Sequence, residues 1–268
     1  MSTTTPMISM HGLSRCFGDV TAVDGLSLDI AAGEIFGLIG RNGAGKTTTI
    51  KMLTTLLPPS AGTAIVAGYD VAAQAPQVRR VIGYVPQALS ADGELTGYEN
   101  LLVFARLFDI PRAQRRARIE EALRFMDLTD VAHHLVQSYS GGMIRRLEIA
   151  QSALHRPKVL FLDEPTIGLD PLARRTVWEH VTRLNTEFGS TIVVTTHYMD
   201  EAEALCRRVA IMHRGRLAAV DTPDGLKGRV HPGATLDEAF ALFTGDSIEH
   251  EGTYVHTART RQAASRLG

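Results

Sequence analysis

The eight residues GRNGAGKT, Gly40 to Thr47, constrain the fold more tightly than any other stretch of this chain. They fit the pattern G-x-x-x-x-G-K-[ST]. They lie between a short apolar run, GEIFGLIG, and a segment from Lys46 to Leu57 whose apolar residues have helical spacing. A glycine-rich loop between strand and helix is the context in which that pattern cradles phosphate. Gly40, Gly43 and Gly45 let the backbone bend into a nest whose N–H groups face phosphate oxygens. Lys46 supplies a mobile positive charge for the β- and γ-phosphates, and Thr47 supplies a hydroxyl for Mg²⁺. The loop therefore predicts an α/β fold that takes a nucleoside triphosphate at a strand's carboxyl end.

Strand-like and helix-like segments alternate along most of the chain. VIGYVPQ, KVLFLDEP and TIVVTTH are strand-like apolar runs, and RRVAIMHRGRLAAV reads as two strands around Arg214 and Gly215. Buried, non-alternating strands separated by helices imply a parallel sheet. From Leu95 to Leu154 the pattern is helical, with Leu101, Leu102, Ala105, Phe108, Leu123 and Met126 at helical spacing and no convincing strand. That stretch, about 60 residues, has the length of a small helical insert. TLDEAF at Thr235 predicts a further helix start, with Glu238 three residues on as a capping box. From about Gly245 the chain is polar and aperiodic, and it reads as a disordered tail.

Two further motifs carry chemistry. In VLFLDEP, Val159 to Pro165, two adjacent carboxylates end a buried strand, where open parallel sheets place their ligands. Asp163 is placed to hold Mg²⁺, directly or through water, and Glu164 to orient and polarise an attacking water. In SYSGGMIRRLEIA, Ser138 to Ala150, a serine and two glycines open an apolar-periodic helix, whose bare backbone N–H groups form a second place for an anion. One chain thus carries two phosphate grips about a hundred residues apart.

The order phosphate loop, YVPQ, YSGGM, LFLDEP, GLD, TTH resembles the ATP-binding cassette (ABC) ATPases, over nearly all of Met7 to about Thr222. The resemblance implies a P-loop NTPase fold: a RecA-like parallel-sheet core with an antiparallel β subdomain and an inserted α-helical subdomain. It places the cassette at 7–230, the helical subdomain at about 90–155, and a short helix and polar tail at 231–268. It also answers why there are two grips. In the family two cassettes pack head to tail, and the signature of one closes on the ATP held by the other. Ser140, Gly141 and Gly142 are then assigned to the neighbour's γ-phosphate, and Asp170 in GLDP to the loop that couples the two sites. His197 in TTH matches the histidine that bonds the γ-phosphate. Gln87 in YVPQ matches the glutamine that reaches Mg²⁺ and water and links the core to the helical insert. Phe17 falls where the family places an aromatic ring under adenine. Gly40, Asn42, Gly43, Ala44, Gly45, Lys46, Thr47 and Thr48 make up the nucleotide's own loop, Thr47, Gln87 and Asp163 the metal set, and Glu164, His197, Gln87 and Lys46 the catalytic set.

Tyr139 stands where the family usually has leucine, and Met143 where it usually has glutamine; neither change removes a phosphate contact. YSGGM, GLDP and THYMDEAE together are similar to the branch that drives drug and antibiotic exporters of the daunorubicin-resistance type, in which the membrane channel is a separate polypeptide. The resemblance implies a homodimer or a pair with a homologous subunit, on the cytoplasmic face of a membrane. The permease's cytoplasmic helices are expected in a groove near Gln87, around Leu95 to Leu102.

Composition decides among the rivals. A net charge of -1 gives no bulk attraction to nucleic acid, and no run of apolar residues reaches the length of a membrane span. The N-terminal MSTTTPMISM lacks the regions of a signal peptide, so a protein soluble on its own is expected. Cys16 and Cys206 suit a reducing compartment and read as small buried side chains. His133 and His134 lack metal partners at ligand spacing, and the run Arg112, Arg115, Arg116, Arg118, followed by Glu120 and Glu121, reads as an ion-paired helix face. The main alternative is a non-transport ABC ATPase in a soluble assembly, ribosome or DNA complex. One cassette and no sustained heptads speak against its two-cassette and coiled-coil forms. A purely regulatory nucleotide binder is expected to lack Glu164 or His197, and both are present.

Overall fold

The computed structural model describes residues 5–245; the expected polar tail lies outside the described residues. Strand β3, Ile35–Ile39, is buried at every position, as its unbroken apolar run requires of a strand covered on both faces. Around it lies a six-stranded sheet that also contains β6 (Ile82–Val85), β7 (Val159–Asp163), β8 (Thr191–Thr196), β9 (Arg208–His213) and β10 (Arg216–Asp221), in the order β10-β9-β3-β8-β7-β6. Neighbours from β9 to β6 run parallel, and only the edge strand β10 is antiparallel, folded back on β9 through Arg214 and Gly215. The expected strands are all present, and the parallel core is confirmed.

A second sheet is antiparallel, with β1 (Ile8–Phe17), β2 (Val20–Ile30), β4 (Ala61–Val66) and β5 (Tyr69–Asp70) in the order β2-β1-β4-β5. Its core residues Ile8, Met10, Leu13, Val23 and Leu26 form one cluster with Phe36, Phe161 and Val193 of the parallel sheet. The two sheets therefore share one core, and helix α1 (Lys46–Leu53) supplies Ile50, Met52 and Leu53 to it.

Helix α1 ends four residues before the expected Leu57. Thr55 takes a left-handed conformation, and the N–H groups of Leu56 and Leu57 turn back to Lys51 O. The chain then leaves through Pro58 and Pro59, which cannot continue the helix. After α2 (Ala75–Val81), the predicted helical stretch consists of α3 (Gly97–Leu107), α4 (Arg112–Phe125), two 3-10 turns and α5 (Gly141–Ala153). Its only strand-like feature among the described residues is a single bridge between Thr96 and Leu135. Leu101, Ile119, Leu123 and Leu147 of this stretch pack into the same cluster as Leu160 and Ile192 of the parallel sheet.

Helices α6 (Pro171–Phe188), α7 (Met199–Leu205) and α8 (Pro223–Gly228) complete the layers, and α9 (Leu236–Thr244) starts at the predicted capping box of Thr235 and Glu238. One expectation is corrected: Cys206 is buried, but Cys16 is exposed, because it sits near the solvent-facing end of β1. Two members of the arginine run are ion-paired as expected, Arg116 bonded to Glu120 at 2.8 Å and Arg118 at 3.8 Å from Glu121, while Arg115 instead donates to Ile110 O at 2.7 Å.

Candidate functional site

Because β3, β8, β7 and β6 are parallel neighbours, their carboxyl ends open onto one edge of the sheet. Each end carries a predicted residue: Lys46 follows β3, His197 follows β8, Asp163 and Glu164 end β7, and Gln87 follows β6. Residues as far apart in sequence as Lys46 and His197, 151 positions, are thus side by side for a topological reason, at the edge where such sheets bind ligands.

The phosphate loop turns into α1 through Gly45, whose φ of 101° places it in the left-handed region. A Cβ there would lie 2.5 Å from Ala22 O, so only glycine fits this close passage between loop and β2. Lys46 is bent back over the loop and donates to Gly40 O at 2.6 Å and to Arg41 O at 3.3 Å. Its Nζ is also 3.2 Å from Glu164 Oε1, with both side chains almost wholly buried.

Glu164 is the hub of the site. Its backbone adopts a φ of 48°, a left-handed conformation that costs a non-glycine residue about 1–3 kcal/mol. The turn is held by Glu164 N donating to Thr195 O at 3.0 Å and to Thr195 Oγ1 at 2.9 Å. The side chain then meets three predicted residues. Besides Lys46, Gln87 Nε2 donates to Oε2 at 3.4 Å, and His197 Nδ1 lies 3.2 Å from the same oxygen without hydrogen-bond geometry. The imidazole leans on the Tyr198 ring, with centroids 4.1 Å apart.

Asp163 is built as an oxygen ligand. Its Oδ1 accepts from Thr195 Oγ1 at 2.5 Å and from Thr47 Oγ1 at 3.1 Å, while its Oδ2 is buried with no hydrogen-bond partner among the described residues. Leaving a carboxylate oxygen buried and unpaired is costly. An unpaired oxygen beside a threonine hydroxyl suits a hard divalent cation that takes its remaining ligands from phosphate and water.

The second grip is set apart from this hub. Ser140 is the N-cap of α5, its hydroxyl accepting from Met143 N at 3.3 Å, and Ser140 and Gly141 are exposed. Gly142 packs on α6, where an added Cβ would come within 3.0 Å of Ala173 Cβ. Asp170 caps that helix through Leu172 N and Ala173 N, each at 3.0 Å. Tyr139 points inward and donates to Val131 O at 2.6 Å, away from the phosphate-facing groups. Phe17 is 44% exposed at the end of β1, with the Arg15 guanidinium 4.7 Å from its ring centroid. Asn42 and Gly43 are exposed on the loop, Ala44 is buried, and Thr48 is half-buried on α1's first turn.

Sequence reasoning missed three supports. Thr195 ties Asp163 to Glu164 through one hydroxyl; its signal is a polar residue inside a fully buried strand. Glu201 is wholly buried on α7 and accepts from Thr166 Oγ1 and Trp178 Nε1, both at 2.9 Å, linking the segment after Glu164 to the one after His197. Arg145 and Glu148 form a buried ion pair at 2.9 Å on α5.

The ABC transporter family model matches residues 23–167, more than half of the 268. A daunorubicin resistance ATP-binding protein of Streptomyces coeruleorubidus is 45% identical over 223 residues, 83% of this chain and 69% of the relative. A Nod factor export ATP-binding protein of Ralstonia nicotianae is 44% identical over 222 residues, again 83% and 69%. Among solved structures, an ATP-binding cassette captured as a post-hydrolysis dimer with ADP and Pi superposes with a TM-score of 0.72 at 25% identity, covering 81% of this chain and 98% of that one.

Proposed function

The chain belongs to the ABC transporter family, and from that premise we propose that it powers a separate membrane permease that exports a drug, antibiotic or other hydrophobic substrate. It is an ATP-binding, ATP-hydrolysing cassette, as its family and fold are. The observation that carries the mechanism is the meeting of Lys46, Gln87 and His197 around one carboxylate, Glu164.

ATP lies along the Gly40–Thr48 loop, with Phe17 offered to adenine. Lys46 exchanges its contact with Glu164 for one with the β- and γ-phosphates, which releases Glu164 to orient the attacking water. His197 and Lys46 then offset the charge that develops on the transferred phosphoryl group. Thr47, Asp163 and Gln87 would hold Mg²⁺, which when bound would supply further stabilisation of that charge. Ser140 and Gly141, exposed at the start of α5, and the half-buried Gly142 beside them take the γ-phosphate held by a second copy or a homologous cassette. Asp170, one helix away, couples the two sites. Closure excludes bulk water and completes the constellation.

Several features support the transport reading. Both relatives are named as ATP-binding proteins, one for resistance and one for export. No helix among the described residues is long and apolar enough to cross a membrane. Leu89, about half exposed two residues from Gln87, offers an apolar side chain to the permease's cytoplasmic helices. The test is a detergent pull-down of tagged Glu164→Gln protein with ATP and Mg²⁺. Recovery of one polytopic membrane protein supports the reading; recovery of ribosomes, DNA or a soluble complex alone overturns it.

A further inference from the structure

Helix α5 carries, one turn beyond its serine and glycines, two opposite charges that are almost wholly buried. Arg145 and Glu148 are 1% and 2% exposed, with Arg145 Nη1 2.9 Å from Glu148 Oε2. On a solvated helix such an i, i+3 pair adds little. Here both groups are withdrawn from water, and what they gain instead is a hold on one loop. Arg145 donates through Nη1 to Pro86 O at 2.8 Å and through Nη2 to Gln87 O at 2.7 Å. Glu148 Oε1 accepts from Ser90 N, from Ser90 Oγ at 3.1 Å and from Ala91 N at 3.3 Å. The pair therefore grips both ends of the segment from Pro86 to Ala91, and every bond but one is to backbone. Burial lowers the pKa of Arg145, and the charges of Glu148 and Asp163 work in the other direction.

The clasped segment is the one whose side chain reaches the hub, since Gln87 Nε2 donates to Glu164 Oε2. The clasping helix is the one that begins at Ser140, Gly141 and Gly142. We propose that Arg145 and Glu148 are positioning residues that make Gln87 move as one body with the start of α5, so that engagement of the serine and glycines by a second cassette sets the placement of Gln87 beside Glu164. This rests on the roles given above to Gln87 and Glu164. A rigid helix of 13 residues with a five-point grip on a loop transmits a shift at its start directly to that loop. Misplacing a catalytic contact by about 1 Å can lower a rate by about 100-fold.

The experiment is a double-mutant cycle on ATP turnover by the full chain. Arg145→Lys keeps the charge and loses the fork that spans two carbonyls. Glu148→Gln keeps the acceptor for the two backbone N–H groups and loses the charge. Each is made alone and in a Gln87→Ala background, with kcat, KM, binding of a fluorescent ATP analogue, and Tm measured together. The expected result is a kcat lowered about tenfold or more in each single variant, with analogue affinity within about threefold of the parent, and little further loss when Gln87 is already alanine. A kcat loss that is the same with and without Gln87 overturns the proposal, because the pair then acts only as a brace of the fold. Parental kcat in both single variants also overturns it. If Gln87→Ala itself leaves kcat unchanged, the role of Gln87 fails first and the proposal falls with it.

Discussion

Lys46 Nζ and Glu164 Oε1 lie 3.2 Å apart, in side chains only 4% and 5% exposed. Two residues 118 positions apart, each at the carboxyl end of a parallel strand, thus neutralise one another in the interior. Removing one partner of a buried pair strands the other charge and costs about 3–5 kcal/mol. The ammonium has two carbonyls to fall back on, Gly40 O and Arg41 O. The carboxylate has the amide of Gln87. The contact is therefore one that a phosphate can replace, and that property makes the pair suitable for a catalytic site.

Glu164→Gln keeps the shape of the hub and removes its basicity. Positioned general bases contribute about 10²–10⁴-fold to rate. Turnover by this variant is expected to fall at least about 100-fold, while ATP binding persists because the loop and Lys46 are intact. Phosphate release measured beside equilibrium nucleotide binding checks both halves. Wild-type turnover would remove Glu164 from its role.

Gly45→Ala tests the loop itself. The residue needs a φ of 101°, and the added methyl would meet Ala22 O at 2.5 Å. Substituting alanine where φ is positive destabilises by more than about 0.4–1 kcal/mol, and here a backbone atom must also move. ATP affinity is expected to fall at least about tenfold together with a lower Tm. A nucleotide titration with a parallel melting curve reads the two effects.

How much of this was legible in the sequence depended on how local each feature is. The phosphate loop was readable because strand, loop and helix lie within some twenty residues, and the buried strands because their apolar runs are unbroken. The antiparallel sheet came only through family resemblance. In ISMHGLSRCF the register of β1 against β2 shifts at three places, which breaks the alternation that marks a half-buried strand. Arg145 and Glu148 were written in plain sight, but opposite charges at i, i+3 look like any surface pair until the fold brings Pro86 to Ala91 over them. Glu201 was hidden in the same way, since its partners Thr166 and Trp178 are 35 and 23 residues away.

Ser140 serves the helix as well as any ligand. Its hydroxyl accepts from Met143 N as the N-cap of α5. Loss of such a cap costs about 1 kcal/mol, or about 2–4 °C in Tm for a chain of this size. Ser140→Ala is expected to show that drop and also to abolish the ATP-dependent dimer of Glu164→Gln protein in size-exclusion chromatography. Ser140→Thr should recover most of the stability. A dimer that survives Ser140→Ala would restrict the residue to capping.

Glu201 gives a prediction in pH. The carboxyl is wholly buried, and burial raises its pKa above the ordinary glutamate value, while hydrogen bonds from Thr196, Thr166 and Trp178 work in the other direction. An acid whose folded pKa is raised binds more protons folded than unfolded over the interval between the two values. Stability then falls as pH rises through that interval, beginning near the ordinary glutamate pKa of about 4.3. Each pH unit of displacement is worth about 1.4 kcal/mol. Glu201→Gln keeps an acceptor for Thr166 and Trp178 and removes the titration. The difference in Tm, variant minus parent, is therefore expected to grow in the variant's favour from pH 5 to pH 7.5. Thermal melts of both proteins at matched ionic strength measure it, and because only the trend with pH counts, a constant offset from repacking does not interfere. A difference that stays flat would mean that Glu201 titrates in the folded protein as it does in the unfolded chain, and that its three hydrogen bonds cancel the effect of its burial.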